Sequence, residues 1–448
     1  MNKISHYSST KELTKALIIA VLSSLFIYLN HWGLSHPFLN TILGILGLYL
    51  LLQSSQKVWF FSGAFIALFW FWWIVISFKH YEMLWAIPVG LFLIMLGYGV
   101  IFWFITYLAE KFTSILPITY SVLPLILKAL GLLSLSYIHP FNFDWLKPEL
   151  MFVESYIGIE KWQFAIVLFS IVLGLWQKQL RYLLFIVLAY QPTQVVDVID
   201  PTTPNKPVGS ITSTKDTLDN IYLATTHTSV QDKWDKTLHP AQFEAIFKTI
   251  DQAIDANKTL IILPESIFPV FINKNQTLID TLYEKAKSIS IVTGGLYWDG
   301  KTPRNSTFIF TEDKITVANK VLLVPFGESN PLPDFLSNWV NKVFYDNAVD
   351  YKASSDVIDY QIDGITYRNA ICFEATSEKL YEKDKEGKHP RNMIVLSNNG
   401  WFTPSTLPTL QKLLLQYYSK KYGTTIYHSV NMSESYVIEN TKTLHIKL

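Results

Sequence analysis

VWFFSGAFIALFWFWWIVISF, residues 58–78, contains no charged side chain in 21 positions. As an α-helix rising 1.5 Å per residue, it would extend roughly 30 Å, the thickness of the hydrocarbon core of a bilayer. Six further apolar stretches accompany it and predict a multi-span α-helical membrane bundle of about seven spans. They cover residues 16–32, 38–52, 84–108, 114–138, 162–176 and 182–191.

Two of these predicted spans depart from the usual pattern. The fifth contains Pro117, Pro124 and Lys128, and the seventh is short for a bilayer crossing. Tilt of the helices, or burial of Lys128 among its neighbours, would accommodate both departures. The polar first 15 residues lack a small-residue cleavage site after the first apolar run, so the first span is predicted to be uncleaved.

Composition supports a membrane protein and excludes several other classes. Half of the 448 residues are hydrophobic and only 16% are charged, with a mean hydropathy of +0.23. A net charge of +1 provides no basic surface for phosphates, so no nucleic-acid partner is expected. One cysteine and ten histidines without HExxH spacing give no expected metal site, and no glycine-rich loop predicts a nucleotide cofactor.

The cations in the short loops predict the orientation of the chain. With seven spans, most of them lie on one side, which by the positive-inside tendency is cytoplasmic. Everything after residue 192 is then predicted to lie on the periplasmic side of a bacterial inner membrane. The cytoplasmic set is Lys3, Lys11, Lys15, Lys57, Lys111, Lys178 and Arg181, and the opposite set is Lys79, Lys147 and Lys161.

The composition changes after Gln191 and divides the chain into three predicted regions. Residues 1–191 form the membrane domain, and residues 192–219, rich in Pro, Thr and Asp, form a linker. In residues 220–448, short runs such as NIYLATT, TLIILPES, SIVTGGLYW, STFIFT, VLLVPF, TYRNAICFE and NMIVLSN alternate with helix-like segments. This alternation predicts a layered α/β domain.

Glu265 follows four apolar residues and Pro264 in TLIILPES, where a buried strand is predicted to end. A partly desolvated carboxyl group at such a point has a raised pKa and can accept a proton from a thiol. A surface carboxylate or a partner of a helix N-terminus is the alternative interpretation.

Lys320 begins the run KVLLVPFGE, and the chain turns after Val324 towards Glu328. An ammonium there can stabilise a thiolate and then an oxyanion. Glu328 can orient the lysine or close the site. A solvated lysine at a strand edge and a loop carboxylate are the alternatives.

Cys372 is predicted to lie where a strand over residues 365–371 gives way to a helix beginning near Thr376. Such a junction exposes a side chain beside backbone N–H donors, which suits a nucleophile. A lone cysteine in an apolar strand is also a common core residue. An unpaired thiol in an oxidising compartment is a liability, which favours a functional role.

The segments LPES, NKVLLVPFGESNPLP, ICFE and SNNGWF, following about seven spans, together resemble the apolipoprotein N-acyltransferase family of the nitrilase or carbon-nitrogen hydrolase superfamily. The resemblance covers nearly the whole chain and implies a nitrilase-like α-β-β-α sandwich. It implies a catalytic triad of Glu265, Lys320 and Cys372. The supporting residues that it implies are Glu328, Glu374 and Phe373, and the substrate-binding residues are Trp234, Trp401 and Phe402.

The resemblance also implies an activity and its partners. Family members transfer an acyl chain from a phospholipid, typically phosphatidylethanolamine, to the amine of a diacylated apolipoprotein through a cysteine thioester. A membrane-tethered amidase or nitrilase-type hydrolase shares the first half of that chemistry and remains an alternative. A transporter or receptor with a ligand-binding outer domain is a second alternative, which would make the Glu, Lys and Cys placement a coincidence.

Three features depart from the family pattern. Phe373 replaces a common tyrosine, and THTSVQ replaces the usual QGN near Trp234. The best-known members carry a further membrane helix after the nitrilase-like domain, which this sequence lacks. The N-terminal helices alone are therefore expected to anchor the protein, and residues 427–448 are predicted to end as strands.

Overall fold

The computed structural model describes residues 2–115, 122–140, 143–191, 219–325, 327–330, 350–440 and 442–444, with side chains from residue 10 onward. The predicted linker lies almost wholly outside them. Described residues within Met1–His139, Asp144–Val195 and Phe402–Tyr417 form one compact unit, the membrane unit. Those within Pro140–Phe143, Val196–Trp401 and Tyr418–Leu448 form a second, the α/β unit.

Apolar helices build the membrane unit. Three helical stretches among the described residues are long and apolar enough to cross a bilayer, Thr10–His31, Gln56–Tyr81 and Ala86–Ile115, and four apolar helices are shorter. The α-helices are α1 Asn2–His31, α2 Pro37–Leu52, α3 Gln56–Phe71, α4 Ala86–Ile115, α5 Leu123–Ser134 and α6 Lys161–Gln177. Described 3-10 helices cover Trp72–Tyr81, Leu135–Tyr137, Pro148–Phe152 and Leu180–Ala189.

The fifth and seventh spans differ from their predicted forms. A single span over 114–138 is wrong, because α4 continues to Ile115 and α5 begins at Leu123, with Pro124 in its first turn. Pro117 lies outside the described residues. Lys128 is buried as expected, and its Nζ donates to the Ser54 carbonyl at 2.9 Å. The seventh is a 3-10 helix of ten residues.

Close packing holds the membrane helices together. A Cβ added to Gly63 of α3 would lie 2.6 Å from the Phe102 ring of α4, so only glycine allows this approach. The Trp70 indole donates to the Ser24 hydroxyl at 3.1 Å and joins α3 to α1. Large apolar side chains also point outward, as expected for a lipid-facing surface, and they include Trp85, Phe92, Leu93, Leu184 and Val187.

A segment remote in sequence completes the membrane unit. Residues 402–417 include most of α10 Leu407–Tyr422. The Phe402 ring packs edge-on against Trp73 at 5.2 Å, and His31 Nδ1 lies 2.9 Å from the Thr409 hydroxyl. The Tyr417 hydroxyl donates to the fully buried Glu149 carboxylate at 3.1 Å. These contacts make the segment part of the helical core.

Two sheets form the α/β unit. The first has the order β1-β3-β5-β6-β7, with β4 also paired to β5, and its strands are β1 Ile221–Leu223, β3 Leu260–Ile262, β4 Phe268–Phe271, β5 Ser290–Trp298, β6 Pro303–Phe310 and β7 Ile315–Asn319. The second has the order β13-β12-β11-β10-β9-β8, with β2 paired to β11. Its strands are β2 Thr225–Thr226, β8 Asp359–Ile362, β9 Ile365–Ile371, β10 Asn392–Asn398, β11 Thr425–Asn431, β12 Tyr436–Glu439 and β13 Lys442–Leu444.

The layers follow the order helix, sheet, sheet, helix. The connections between strands of the first sheet contain three helices. Two of them, α7 Val230–Trp234 and α8 His239–Asp255, come before β3, and α9 Gln276–Ala286 comes before β5. Side chains of α8 and α9 pack on one face of that sheet. The other face packs on the second sheet, where Ile262 and Val292 join a core with Tyr367. The 3-10 segments after β9 cover the second sheet, where Arg368 donates to the carbonyls of Leu380 and Glu382. The predicted α-β-β-α sandwich is confirmed.

Two local predictions in this unit are wrong. Residues 321–324 are not a strand, because the strand ends at Asn319 and side-chain carboxylates accept the following N–H groups. No α-helix begins near Thr376, where the described chain forms 3-10 turns over Cys372–Thr376 and Glu378–Tyr381. The prediction that the C-terminal region forms strands is confirmed through Leu444, and residues 445–448 lie outside the described residues.

Candidate active site

Cys372 lies at the end of β9, in a conformation that few side chains adopt. Its φ of +52° is in the left-handed region, which costs a non-glycine residue about 1–3 kcal/mol. The surrounding structure must therefore hold this turn in place. The residue keeps partial exposure, and its sulfur accepts a backbone hydrogen bond from Asn398 at the end of the neighbouring strand β10.

Glu374 fixes the turn that carries Cys372. Its side chain is 1% exposed and accepts three backbone hydrogen bonds, one from Ile371 at 2.8 Å and two from Val321 and Leu322 at 2.8 and 3.1 Å. One carboxylate thus joins the end of β9 to the chain that follows Lys320. Burial raises the pKa of Glu374 to about 7, although Lys320 and the three N–H donors favour its charged form.

Glu265 follows β3 and is buried with a defined partner. Its Oε1 accepts a hydrogen bond from the Asn305 amide at 2.8 Å and lies 3.9 Å from Lys320 Nζ. The next residue, Ser266, has a φ of +48°, so the chain turns sharply here. Burial raises the pKa of the Glu265 carboxyl group, while Lys320 opposes the shift.

Gly294 allows the Glu265 turn to approach β5. A Cβ added to Gly294 would lie 2.6 Å from Ser266 N and 2.7 Å from Glu265 Cα. Both neighbouring atoms belong to the backbone, so they cannot move aside without moving the Glu265 carboxylate. No other residue type fits this position without such a displacement.

If Cys372 is the nucleophile that the sequence predicts, replacing Gly294 with alanine is expected to slow its acylation by about tenfold or more, because the displaced backbone misplaces the Glu265 carboxylate. The measurement is the rate of acyl-adduct formation in detergent. Gly97→Ala is the matched control for a glycine substitution, since a Cβ there meets no atom within 4 Å and the residue lies in the helix α4, outside the left-handed region. Equal rates for Gly294→Ala and wild type would contradict the expectation.

Lys320 lies directly after β7 and pairs with two carboxylates. Its side chain is 1% exposed, and Nζ lies 2.8 Å from Glu328 Oε2 and 3.0 Å from Oε1. Glu328 also accepts hydrogen bonds from the Asn305 amide at 2.8 Å and from Val324 N–H at 2.9 Å. Burial disfavours the lysine cation, but Glu328 and Glu265 outweigh it and raise the pKa of Lys320. The lysine is therefore charged throughout the ordinary pH range.

The predicted triad is brought together, with a protonated thiol beside a candidate base. Desolvation, with the nearby Glu265 carboxylate, raises the pKa of the Cys372 thiol to about 12, while Lys320 lowers it. A thiol with such a pKa needs a base to remove its proton as it attacks. The arrangement can therefore perform covalent catalysis by a thiol with a carboxylate base and a fixed cation.

No group of three or more His, Cys, Asp or Glu side chains within the described ranges is arranged to hold a metal ion. The acids at the site instead accept hydrogen bonds from Lys320, Asn305 and backbone N–H groups.

The chain is similar in sequence to proteins of a known family. Residues 10–194 match the family model described as the apolipoprotein N-acyltransferase integral membrane domain. The apolipoprotein N-acyltransferase of Wolinella succinogenes is 38% identical over 96% of each chain.

The chain belongs to the apolipoprotein N-acyltransferase family. The family enzyme of Helicobacter pylori is 30% identical, over 94% of this chain and 95% of the relative. A CN-hydrolase superfamily protein from Xanthomonas campestris has a similar structure over 49% of this chain and 82% of its own, with 15% identity and a TM-score of 0.38. Family membership makes this protein a membrane-embedded acyltransferase with several apolar helices.

The residues predicted to bind substrate occupy different places in this family member. Trp234 ends α7, and its side chain is 39% exposed. Trp401 lies in the 3-10 turn after β10 and belongs to the α/β unit, whereas Phe402 belongs to the membrane unit. Phe373 is buried, and its ring stacks on Phe143 with centroids 6.0 Å apart.

Two site residues of this N-acyltransferase family member escaped the sequence analysis. Asn305 bridges the carboxylates of Glu265 and Glu328, yet it lies within the strand β6, where nothing in the sequence distinguishes it. Lys233 is buried and donates to the Glu265 backbone carbonyl at 3.2 Å. Its position beside Trp234 was the only available signal, and a lysine in a polar segment is ordinarily solvated.

Proposed function

We propose that this protein transfers an acyl chain from a phospholipid to the amine of a diacylglyceryl-cysteine at the N-terminus of an apolipoprotein, through a thioester on Cys372. The observation that supports it most is the strained Cys372 turn, held by Glu374 beside the buried Glu265 and Lys320 pair. The names of the similar relatives supply the acceptor class.

In the first half-reaction, Glu265 removes the thiol proton as the Cys372 sulfur attacks the ester carbonyl carbon of the phospholipid. Lys320 and the Phe373 backbone N–H stabilise the oxyanion that forms. The ester C–O bond then breaks, and the lysophospholipid leaves with the proton that Glu265 returns. The acyl chain remains on the sulfur as a thioester.

In the second half-reaction, the lipoprotein amine attacks the thioester carbon while Glu265 accepts a proton from the amine. The C–S bond breaks, the sulfur regains a proton, and the chain is released as an amide. Thioesters react readily with amines, so the protein mainly orients the amine and excludes water. Trp234, Trp401 and Phe402 are proposed to contact the lipid-bearing substrates.

The membrane helices suit this chemistry, because both proposed substrates carry acyl chains. We place the protein in the bacterial inner membrane with the α/β unit on the periplasmic side, on the basis of the cation distribution in the short loops. A phosphatidylethanolamine-like lipid is the proposed donor. No cofactor is required for either half-reaction.

Intact mass spectrometry tests the proposal directly. Purified protein in detergent is incubated with phosphatidylethanolamine and is expected to gain the mass of one acyl group, which Cys372→Ser should prevent. Addition of a diacylated lipopeptide amine is then expected to remove the adduct and yield the N-acylated peptide. Discharge only to water would instead support the hydrolase alternative. Absence of an adduct would refute the thioester mechanism.

The rate of Cys372 acylation is expected to fall on acidification through a pKa above the usual glutamate value of about 4.3, because the base must be ionised and burial raises the pKa of Glu265. Asn305 donates to that carboxylate and so lowers its pKa. Asn305→Ala should therefore move this acid limb to higher pH. A limb that stays in place or moves to lower pH would contradict the assignment, and Asn392→Ala, at a partly exposed position at the start of β10, is the control.

A further inference from the structure

Lys233 is a second buried cation beside the Glu265 turn. Its side chain is 1% exposed, although lysine is rarely fully buried without a partner. Nζ donates to the Glu265 backbone carbonyl at 3.2 Å. Burial lowers the pKa of Lys233 to about 8, while Glu265 opposes the shift. Burying an ammonium costs free energy, so its position at this carbonyl needs an explanation.

The segment around Lys233 is firmly held. The Ser229 side chain caps α7 by accepting from Asp232 N–H at 3.1 Å, and Lys233 N–H donates to the Ser229 carbonyl at 2.9 Å. The imidazole Nε2 of His239 lies 3.2 Å from the Lys233 carbonyl. These contacts fix the lysine backbone at both ends, and the hydrogen bond to the Glu265 carbonyl positions its ammonium.

Without Lys233, the groups around Glu265 carry more negative than positive charge. Lys320 follows β7, Glu328 lies in the next loop, Cys372 follows β9, and Lys233 comes from α7. Glu374 lies close enough to Lys320 to influence it. Lys320 alone would then face three carboxylates, those of Glu265, Glu328 and Glu374. Their negative potential disfavours ionisation of Glu265 and of the thiol.

We propose that Lys233 is a positioning residue of the acyl-transfer site, whose ammonium holds the Glu265 backbone and stabilises the ionised form of that carboxyl group. The inference rests on the proposed role of Glu265 as base. Trp234 is the next residue in the chain, and Leu238 follows it closely. Both of these apolar side chains are more than a third exposed on the same segment.

Alkylation of Cys372 tests the inference without any lipid substrate. Cys372 is the one cysteine of the chain, so carbamidomethylation by iodoacetamide reports on this site alone. The alkylation rate is expected to rise with pH as Glu265 ionises and can take the thiol proton. In Lys233→Met, loss of the cation should move that rise to higher pH and slow alkylation at pH 7 by about tenfold. Lys233→Arg keeps the charge and should retain the wild-type profile.

Lys236→Met is the matched control, because it makes the same change at an exposed position three residues away. A Lys233→Met profile that superimposes on wild type would overturn the inference. So would a uniform loss of rate at every pH, since that is the result expected of a purely structural lysine. If Lys233→Met does not fold, Lys233→Gln takes its place, with the same shift expected and an unchanged profile again refuting the inference.

The outcome is separable from the proposed function. If wild-type protein forms no phospholipid adduct, the thioester proposal fails while the alkylation profiles still decide the role of Lys233. If the adduct forms but the profiles coincide, the transferase proposal stands without Lys233.

Discussion

Replacing Lys320 with methionine is expected to reduce acylation of Cys372 by about a thousandfold, close to complete loss. The lysine provides the fixed positive charge at the point where the thiolate and the oxyanion would develop, and loss of one oxyanion donor in comparable sites costs about 100- to 1,000-fold. Its removal also takes away the cation that lowers the pKa of the Cys372 thiol, so that pKa rises further. The measurement is the adduct rate by intact mass spectrometry.

The same variant should also be less stable. Lys320 is 1% exposed and pairs with Glu328 at 2.8 Å, so methionine leaves the Glu328 carboxylate, which is only 12% exposed, without its cation. Breaking a buried pair in this way costs about 3–5 kcal/mol. Lys320→Met with Glu328→Gln is expected to regain much of the lost thermal stability but no activity. If the double variant recovers activity, Lys320 serves only to neutralise Glu328.

Replacing Glu374 with glutamine is expected to slow acylation by about 100-fold at pH 8, above its pKa of about 7. The carboxylate accepts from Ile371 on one side and from Val321 and Leu322 on the other. An amide has one accepting oxygen, so its NH₂ group would face one of these N–H sets. The strained Cys372 turn would then lose a restraint.

Each buried N–H left unpaired by this change costs about 1–3 kcal/mol, so the thermal midpoint should fall as well. Glu386→Gln is the control, because Glu386 is a well-exposed carboxylate of the same unit. A Glu374→Gln protein with the wild-type acylation rate would show that the turn holds without this carboxylate. Normal stability with reduced acylation would instead assign Glu374 a direct part in the chemistry.

The sequence predicted the strands that carry the chemistry because their apolar runs are short and bounded by turns. Residues 290–298, 365–371 and 392–398 form strands with the predicted limits. The prediction failed at 321–324, where an equally apolar run is held by Glu374 and Glu328 instead of a neighbouring strand. Glu374 lies about 50 residues away in sequence, so the local pattern around residues 321–324 does not reveal that a carboxylate accepts these N–H groups in place of a neighbouring strand.

The candidate triad could be found because its residues lie at or just beyond strand ends and together match a family pattern. Family membership is established, while the roles of Glu265, Lys320 and Cys372 remain proposals for experiment. Asn305 and Lys233 could not be found, because their side chains bind partners on segments far apart in sequence. Asn305 binds the carboxylates of Glu265 and Glu328, and Lys233 binds the Glu265 carbonyl. The membrane helices were predictable as apolar stretches, but their ends near residues 114–123 depended on where proline permits a helix to start.

The incorporation of residues 402–417 into the helical core limits how the protein can be divided or recombined. A chain beginning at residue 219 would keep Phe402, Thr409 and Tyr417 but lose Trp73, His31 and Glu149, their partners in the membrane unit. Such a fragment is expected to aggregate rather than yield a soluble enzyme. A chimera that takes its membrane helices from the Wolinella succinogenes relative would need the counterpart of residues 402–417 from the same parent.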